Sequence, residues 1–443
     1  MTDYQYFFKI TKSVLELVMP IKQRNFHEFM PSDVWKWKII ENRVDHLMSL
    51  YNYQEIRLSI LQDYEVLQKG ITALMNHDQA DGVANHVLNL DGPDHDISLL
   101  SLRPEGTISV LHHTARMIKP EEIYRFYYHG PMFRKDRDMA PLEFYQLGVE
   151  FLGSASILSE NEVICLGMKL CQNLGLDDVF LEINSFGCEQ CNHAYKKAMH
   201  KYLKENENEL CNTCYSELYA NPLASTSCGK EACATCLMDA PKNSDYLCPK
   251  CKENFMRVKQ VQANLAHKYV INHTLVKNFS YYNETVFDFV IHHGDEKLVI
   301  GGGGRYDYLA EKITNQKIPA VGFYLNLDTI FEVMEERRIF SREESPFSVY
   351  ICAQSKQMEI MILQIATEMH QHEITTVIST ENLEVEAEKI NARKRGCSLM
   401  ILLRDSNIRE GKLLLYNLVK DHPQYVALNQ VMDEILVARK ALV

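Results

Sequence analysis

Nine of the thirteen cysteines in this 443-residue chain fall between Cys188 and Cys251, and that crowding limits what the stretch can fold into. Four pairs share a Cys-x-x-Cys spacing: Cys188 with Cys191, Cys211 with Cys214, Cys233 with Cys236, and Cys248 with Cys251. Cys228 is left over. Two thiolates three residues apart can grip one tetrahedral ion from a tight turn, and a second pair completes the site. Eight such ligands predict up to two structural zinc ions, although spacing does not say which pairs combine. The stretch is polar (KENENEL, KNSDY), so metal is expected to supply much of its folding free energy. Reduced thiols without metal are the competing reading. Cys165, Cys171, Cys352 and Cys397 stand isolated in apolar patterns and read as core residues.

Around this stretch the patterning is that of a larger fold. A chain of 443 residues exceeds what one core usually organises, which predicts two or three domains. From 31 to 50 apolar residues recur at helical spacing, and 76–96 is polar and reads as a loop or lid. Strand-like segments at 97–102, 122–130 and 142–153, with a helix at 105–117, predict an α+β domain built on antiparallel strands. A helix at 160–175 and the strand DDVFLEIN follow. After the cysteines, YNETVFDFVIH and EKLVIGGGG read as a hairpin. GGGGRYDYLAEKI reads as a strand passing through a glycine turn into a helix. Beyond a linker at 341–347, alternating strands and helices predict a compact α/β domain with a mixed sheet. The expected division is a core of 1–187 and 256–340, a cysteine-rich insertion at 188–255, and a C-terminal domain at 346–443.

The apolar fraction of 46% and charged fraction of 24% are ordinary for a soluble globular protein. No apolar run approaches the roughly 20 residues that cross a bilayer. The N-terminal stretch has scattered charges and no small-residue cleavage site, so it reads as a short helix rather than a signal peptide. A cytoplasmic location is the expectation. The net charge of −12 argues against a dedicated nucleic-acid coat, yet leaves room for an RNA ligand on a local basic face.

Four segments identify a family resemblance. LRPEGT (102–107), YHGPMFRKDRDMAPLEFYQLGVEFLG (128–153) and GGGGRYDYLAEKITNQKIPAVGFYLNLD (301–328) resemble class II histidyl-tRNA synthetases in content and order. LVKNFSYYNETVFDF (275–289) resembles the tyrosine-rich histidine-binding segment of that family. The resemblance implies a class II synthetase antiparallel-sheet catalytic core, an anticodon-binding-like C-terminal domain, ATP with Mg as cofactors, histidine and tRNA(His) as partners, and a homodimer. It also implies roles for residues. Arg134 would grip the α-phosphate and Arg137 would reach the nucleotide. Glu105, Thr107, Gln146 and Glu150 would contact the amino acid, with Tyr281 and Tyr282 near its ring. The chemistry agrees: adenylate formation needs cations on the phosphates, and histidine needs carboxylates and hydroxyls for its ammonium and imidazole. Gln146 and Glu150 share strand parity, so both can point to one face.

The departures from the family bear on activity. Lys277 stands where active members carry an arginine beside the α-phosphate, and lysine lacks the planar fork that bridges two anions. Thr329 stands where the motif 3 arginine clamps the γ-phosphate. Asn326 replaces a motif 3 glycine and Ser59 a motif 1 proline. RNFHE (24–28) replaces an Arg-Gly-Thr-x-Asp signature, and Leu142 occupies a basic loop position. Glu384 and Glu386 sit where the anticodon-binding face is often lysine-rich. Two readings follow. One is a histidine–tRNA ligase of impaired activity. The other is a non-catalytic paralogue, such as a regulatory subunit of ATP phosphoribosyltransferase or a histidine sensor.

Overall fold

The computed structural model describes residues 28–71, 87–90, 99–119, 122–135, 142–219, 222–228, 230–275, 281–294, 296–341, 347–381 and 383–442. The expected lid at 76–96 therefore lies almost wholly outside the described residues. The chain divides into two compact units, Met1–Ile339 and Phe340–Val443.

Among the described residues of the first unit, α1 (Pro31–Leu50) comes first and has proline in its first turn, where a missing N–H is harmless. Trp37, Ile40, Val44, Leu47 and Met48 form its buried stripe. Then come β1 (Gln54–Glu55), β2 (Leu61–Asp63), α2 (Tyr64–Ile71), β3 (Leu100–Leu102) and α3 (Thr107–Thr114). The long antiparallel pair β4 (Tyr124–Phe133) and β5 (Glu143–Leu152) leads to α4 (Ile157–Asn173) and β6 (Phe180–Ser185). The cysteine-rich stretch contributes α5 (Glu189–Glu205), α6 (Asn212–Glu217), α7 (Glu231–Met238) and α8 (Pro249–Asn264). The unit closes with β7 (Tyr269–Ile271), the hairpin β8 (Asn283–His293) and β9 (Glu296–Arg305), α9 (Leu309–Thr314), β10 (Ala320–Asn326) and α10 (Leu327–Glu336).

Eight strands form one sheet in the order β1-β4-β5-β10-β9-β8-β6-β7. Every neighbour in it is antiparallel except β1 with β4 and β6 with β7. The antiparallel expectation is met. On one face α4 lies close because Gly167 leaves room for the Phe289 ring; a Cβ there would stand 2.1 Å from Phe289 Cζ. The other face carries the candidate site.

One expectation about local structure is corrected. Gly301–Gly304 do not form a turn; all four lie inside β9, paired to β8 and β10. The physical reason is close approach, since a Cβ on Gly303 would meet Gly322 O at 2.0 Å and one on Gly301 would meet Tyr324 O at 2.2 Å. Helix α8 runs across position 255, the expected end of the cysteine-rich insertion, and Gln262 Nε2 donates to Asn161 Oδ1 of α4 at 2.7 Å. A small core of Tyr195, Met199, Leu203, Leu218 and Leu223 also lies within the stretch, where composition suggested little.

Arg305, at the end of β9, is 2% exposed and points to the α4 face. Its guanidinium donates to Glu160, Asp307 Oδ1 (2.9 Å), the carbonyls of Ser154 and Ser156 (both 3.1 Å) and Ser159 Oγ (3.0 Å). Removing it strands the buried Glu160 carboxylate, a loss of about 3–5 kcal/mol. Arg305→Ala should therefore lower the midpoint of thermal unfolding by several degrees, and an unchanged midpoint would contradict this packing.

The second unit has its own five-stranded sheet, from β11 (Ser348–Ala353), β12 (Thr375–Ile378), β13 (Leu399–Leu403), β14 (Lys412–Asn417) and β15 (His422–Ala427). The order is β12-β11-β13-β14-β15. β11 runs parallel to β12 and β13, while β14 is antiparallel to both its neighbours, so the sheet is mixed as expected. Strand β15 was not anticipated, because four of its six residues are exposed and leave no alternation to read. Apolar clusters cover both faces of this sheet. Glu384 and Glu386 are exposed, and Glu386 is paired with Lys389.

Candidate amino-acid site

The site is organised by two buried carboxyls. Glu105 follows β3 in the LRPEGT segment and caps α3: Oε2 accepts from Thr107 N at 2.7 Å and Oε1 from Ile108 N at 2.8 Å. Arg103 holds that segment in place, donating to Pro131 O and Leu58 O, both at 2.8 Å. Its guanidinium also lies against Gly130, whose φ of +145° suits glycine. Glu150 comes from β5. Its Oε1 accepts from Thr107 Oγ1 at 2.8 Å and its Oε2 from Tyr306 OH. Thr107 thereby links the two carboxyl positions.

Aromatic rings enclose this pair. Tyr281 and Tyr282 lie 4.7 Å apart by ring centroid, and Tyr306 is 5.9 Å and 6.3 Å from them. Gln146 shares the Glu150 face of β5 and donates from Nε2 to Tyr128 OH at 3.4 Å. The Tyr128 ring fits because Gly106 and Gly148 lack side chains; their Cβ atoms would stand 2.1 and 2.0 Å from its Cζ. Gly322 on β10 performs the same service for Glu150, with 2.1 Å to Oε2.

Electrostatics follow from burial. Glu105 is 4% exposed and Glu150 is 2% exposed. Burial is the largest influence on each and pushes Glu105 up to about 7 and Glu150 up to about 8. Hydrogen-bond donors partly oppose this, and the charge of Glu105 raises Glu150 further. Two buried carboxyls side by side, each raised toward neutral pH, are suited to a ligand bearing an ammonium group.

Of the sequence-derived candidates, Glu105, Thr107, Gln146, Glu150, Tyr281 and Tyr282 gather in this cluster. Arg134 follows β4, with its Cζ 4.4 Å over the Phe144 ring, and its charge acts on Glu105. Its Nε is buried and has no partner among the described residues, which fits an anionic ligand. Arg137 and Lys277 lie outside the described residues. Thr329 stands in the first turn of α10, where its N–H donates to Asn326 Oδ1 at 3.1 Å, as does that of Asp328. Asn326 is thus the N-cap of α10, with an ordinary φ of −80°, so this backbone does not require the family's glycine. Sequence reasoning missed Tyr306 and Tyr128. Parity with Gly302 and Gly304 could have pointed to Tyr306; nothing local singled out Tyr128.

The cysteines gather into two groups: Cys188, Cys191, Cys248 and Cys251, and Cys211, Cys214, Cys228 and Cys233. Within each, all four sulfurs lie within 4.8 Å of one another. The second group departs from the spacing-based expectation: Cys228 belongs to it and Cys236 does not.

An antiparallel sheet carrying the LRPEGT, 128–153 and 301–328 segments is the catalytic-core fold of class II aminoacyl-tRNA synthetases. A profile described as histidyl-tRNA synthetase matches residues 25–330. The histidine–tRNA ligase of Halothermothrix orenii is 30% identical over 420 residues, covering 93% of this chain and 98% of its own. That of Caldicellulosiruptor bescii is 30% identical over 414 residues, covering 92% and 96%. The fold is similar to that of the apo S. aureus histidyl-tRNA synthetase, with TM-score 0.75, 24% identity, and coverage of 93% and 98%. It is also similar to an ATP phosphoribosyltransferase regulatory subunit/histidyl-tRNA synthetase from Bacillus halodurans, with TM-score 0.59, 19% identity, and coverage of 87% and 98%. The chain belongs to the histidyl-tRNA synthetase family.

Proposed function

We propose that this chain binds histidine in the pocket of Glu105, Thr107, Gln146, Glu150, Tyr281 and Tyr282, and that its ATP-dependent activation of histidine is impaired or lost. The observation that carries the first half is the buried Glu105–Thr107–Glu150–Tyr306 network, which offers carboxylates to an ammonium and hydroxyls to an imidazole. The second half rests on the phosphate side. Arg134 offers one guanidinium, but Thr329 puts a neutral hydroxyl where the family places a cation, and Lys277 lacks the fork of an arginine.

ATP with Mg, tRNA(His), a homodimeric state and a cytoplasmic location come to this chain from its family. No described helix is long and apolar enough to cross a membrane. The second reading is a non-catalytic paralogue, and Thr329 and Lys277 at the positions of the family's arginines favour it. Loss of one preorganised cation removes about 2.7–4 kcal/mol of transition-state stabilisation, or roughly 10²–10³ in rate. Histidine-dependent ATP–pyrophosphate exchange by the purified protein should therefore fall at least two orders of magnitude below that of the Halothermothrix orenii ligase assayed alongside. Exchange at a comparable rate would overturn the impaired reading and leave an active ligase.

A further inference from the structure

We propose that the cysteine-rich stretch holds two tetrahedral four-thiolate zinc sites: one of Cys188, Cys191, Cys248 and Cys251, the other of Cys211, Cys214, Cys228 and Cys233, with Cys236 outside both. The first observation is a repeated placement. Cys188, Cys211 and Cys248 each occupy the N-cap of a helix, and Cys191, Cys214 and Cys251 each stand at its third residue. A thiol just before a helix and one at its third position point to the same spot beyond the helix end. In α7 the third residue is Cys233, the N-cap is Lys230, and the thiol preceding the helix is Cys228. Cys236 lies a further three residues along α7; it is buried, its sulfur is not among those gathered with Cys233, and its carbonyl accepts from Tyr202 OH at 2.7 Å. The Cys-x-x-Cys spacing of Cys233 and Cys236 therefore does not make a knuckle.

The second observation is the spacing between sulfurs. A tetrahedral ion with Zn–S bonds of about 2.3 Å sets its sulfurs about 3.8 Å apart. Cys188 and Cys191 are 3.5 Å apart and Cys211 and Cys228 are 3.9 Å apart. A disulfide needs about 2.05 Å, and all these cysteines are free. Backbone N–H groups also aim at the sulfurs: Cys188 N at Cys251 Sγ (3.2 Å), Cys248 N at Cys191 Sγ (3.1 Å), Cys211 N at Cys233 Sγ (3.1 Å) and Cys214 N at Cys211 Sγ (3.5 Å). Four thiols binding Zn²⁺ release four protons and leave a complex of net charge −2, which such donors stabilise. Tetrahedral sulfur coordination suits zinc or iron, and the cytosolic choice between them is read directly by colour and elemental content.

The test uses the full chain purified from zinc-supplemented cells without chelator. Elemental analysis should find two zinc per chain in the parent protein and in Cys236→Ser, and one in Cys228→Ser. Zinc lost from Cys236→Ser but retained by Cys228→Ser would overturn the second ligand set. Fewer than two zinc in the parent protein, or iron in their place, would overturn the proposal as a whole. Should Cys228→Ser fail to fold, Co²⁺ exchanged into Cys236→Ser decides the matter: two equivalents giving tetrathiolate ligand-field bands support it, and a three-sulfur spectrum at the second equivalent refutes it.

Discussion

Glu150→Gln should abolish measurable histidine binding while making the protein more stable above pH 8. Glu150 is buried, hydrogen-bonded to Thr107 Oγ1 and Tyr306 OH, and raised to about 8. Glutamine keeps the shape of the protonated acid: one hydroxyl goes on donating to its carbonyl oxygen, and the other reorients to accept from its NH2. What it lacks is the charge that would meet the ligand ammonium, and losing one partner of a buried charge pair removes about 2–5 kcal/mol of binding. Stability moves in the opposite direction. A carboxyl whose pKa rises on folding contributes stability that is complete below its unfolded value of 4.5 and is lost as pH climbs through about 8. The glutamine variant escapes that loss, which amounts to about 5 kcal/mol at one pKa unit per 1.36 kcal/mol. Calorimetric titration with histidine and thermal melts at pH 6 and 8.5 check both arms. Histidine affinity equal to the parent protein would remove Glu150 from the site.

Histidine affinity in the parent protein should strengthen with pH, by up to tenfold per unit between pH 7 and 8. With Glu150 at about 8, the free pocket is largely protonated at pH 7, and an ammonium ligand binds the carboxylate form. Binding is therefore linked to proton release, and the dependence flattens once pH exceeds about 8. Over this interval the imidazole of free histidine is already neutral, since its ordinary pKa is about 6.5. The slope then reports the protein. Titrations in two buffers of different ionisation enthalpy count the protons directly. A pH-independent affinity with no proton released would mean that neither carboxyl receives the ammonium.

Much of this could be read from the chain. The parity of Gln146 and Glu150 does put both on one sheet face, because strand geometry fixes side-chain direction by counting. The mixed sheet of the C-terminal unit was legible for the same reason, up to β15, whose polar exposed residues carry no pattern. Gly301–Gly304 misled because glycine signals either a turn or a close approach, and only the neighbouring strand β10 distinguishes them. Asn326 looked like damage to motif 3; in the structure it caps α10.

The sequence alone determined which chemistry this protein carries: its family, its strands and helices, the two pocket carboxyls, and cysteines spaced to hold metal. These are local facts of residue type and short-range periodicity. Only the tertiary structure decided who meets whom. It set Tyr306 and Thr107 on opposite oxygens of Glu150, and burial there raised a carboxyl that would otherwise ionise freely in water. It also joined Cys228 rather than Cys236 to Cys233, because the direction of a thiol depends on where its helix begins, and that start is fixed by packing.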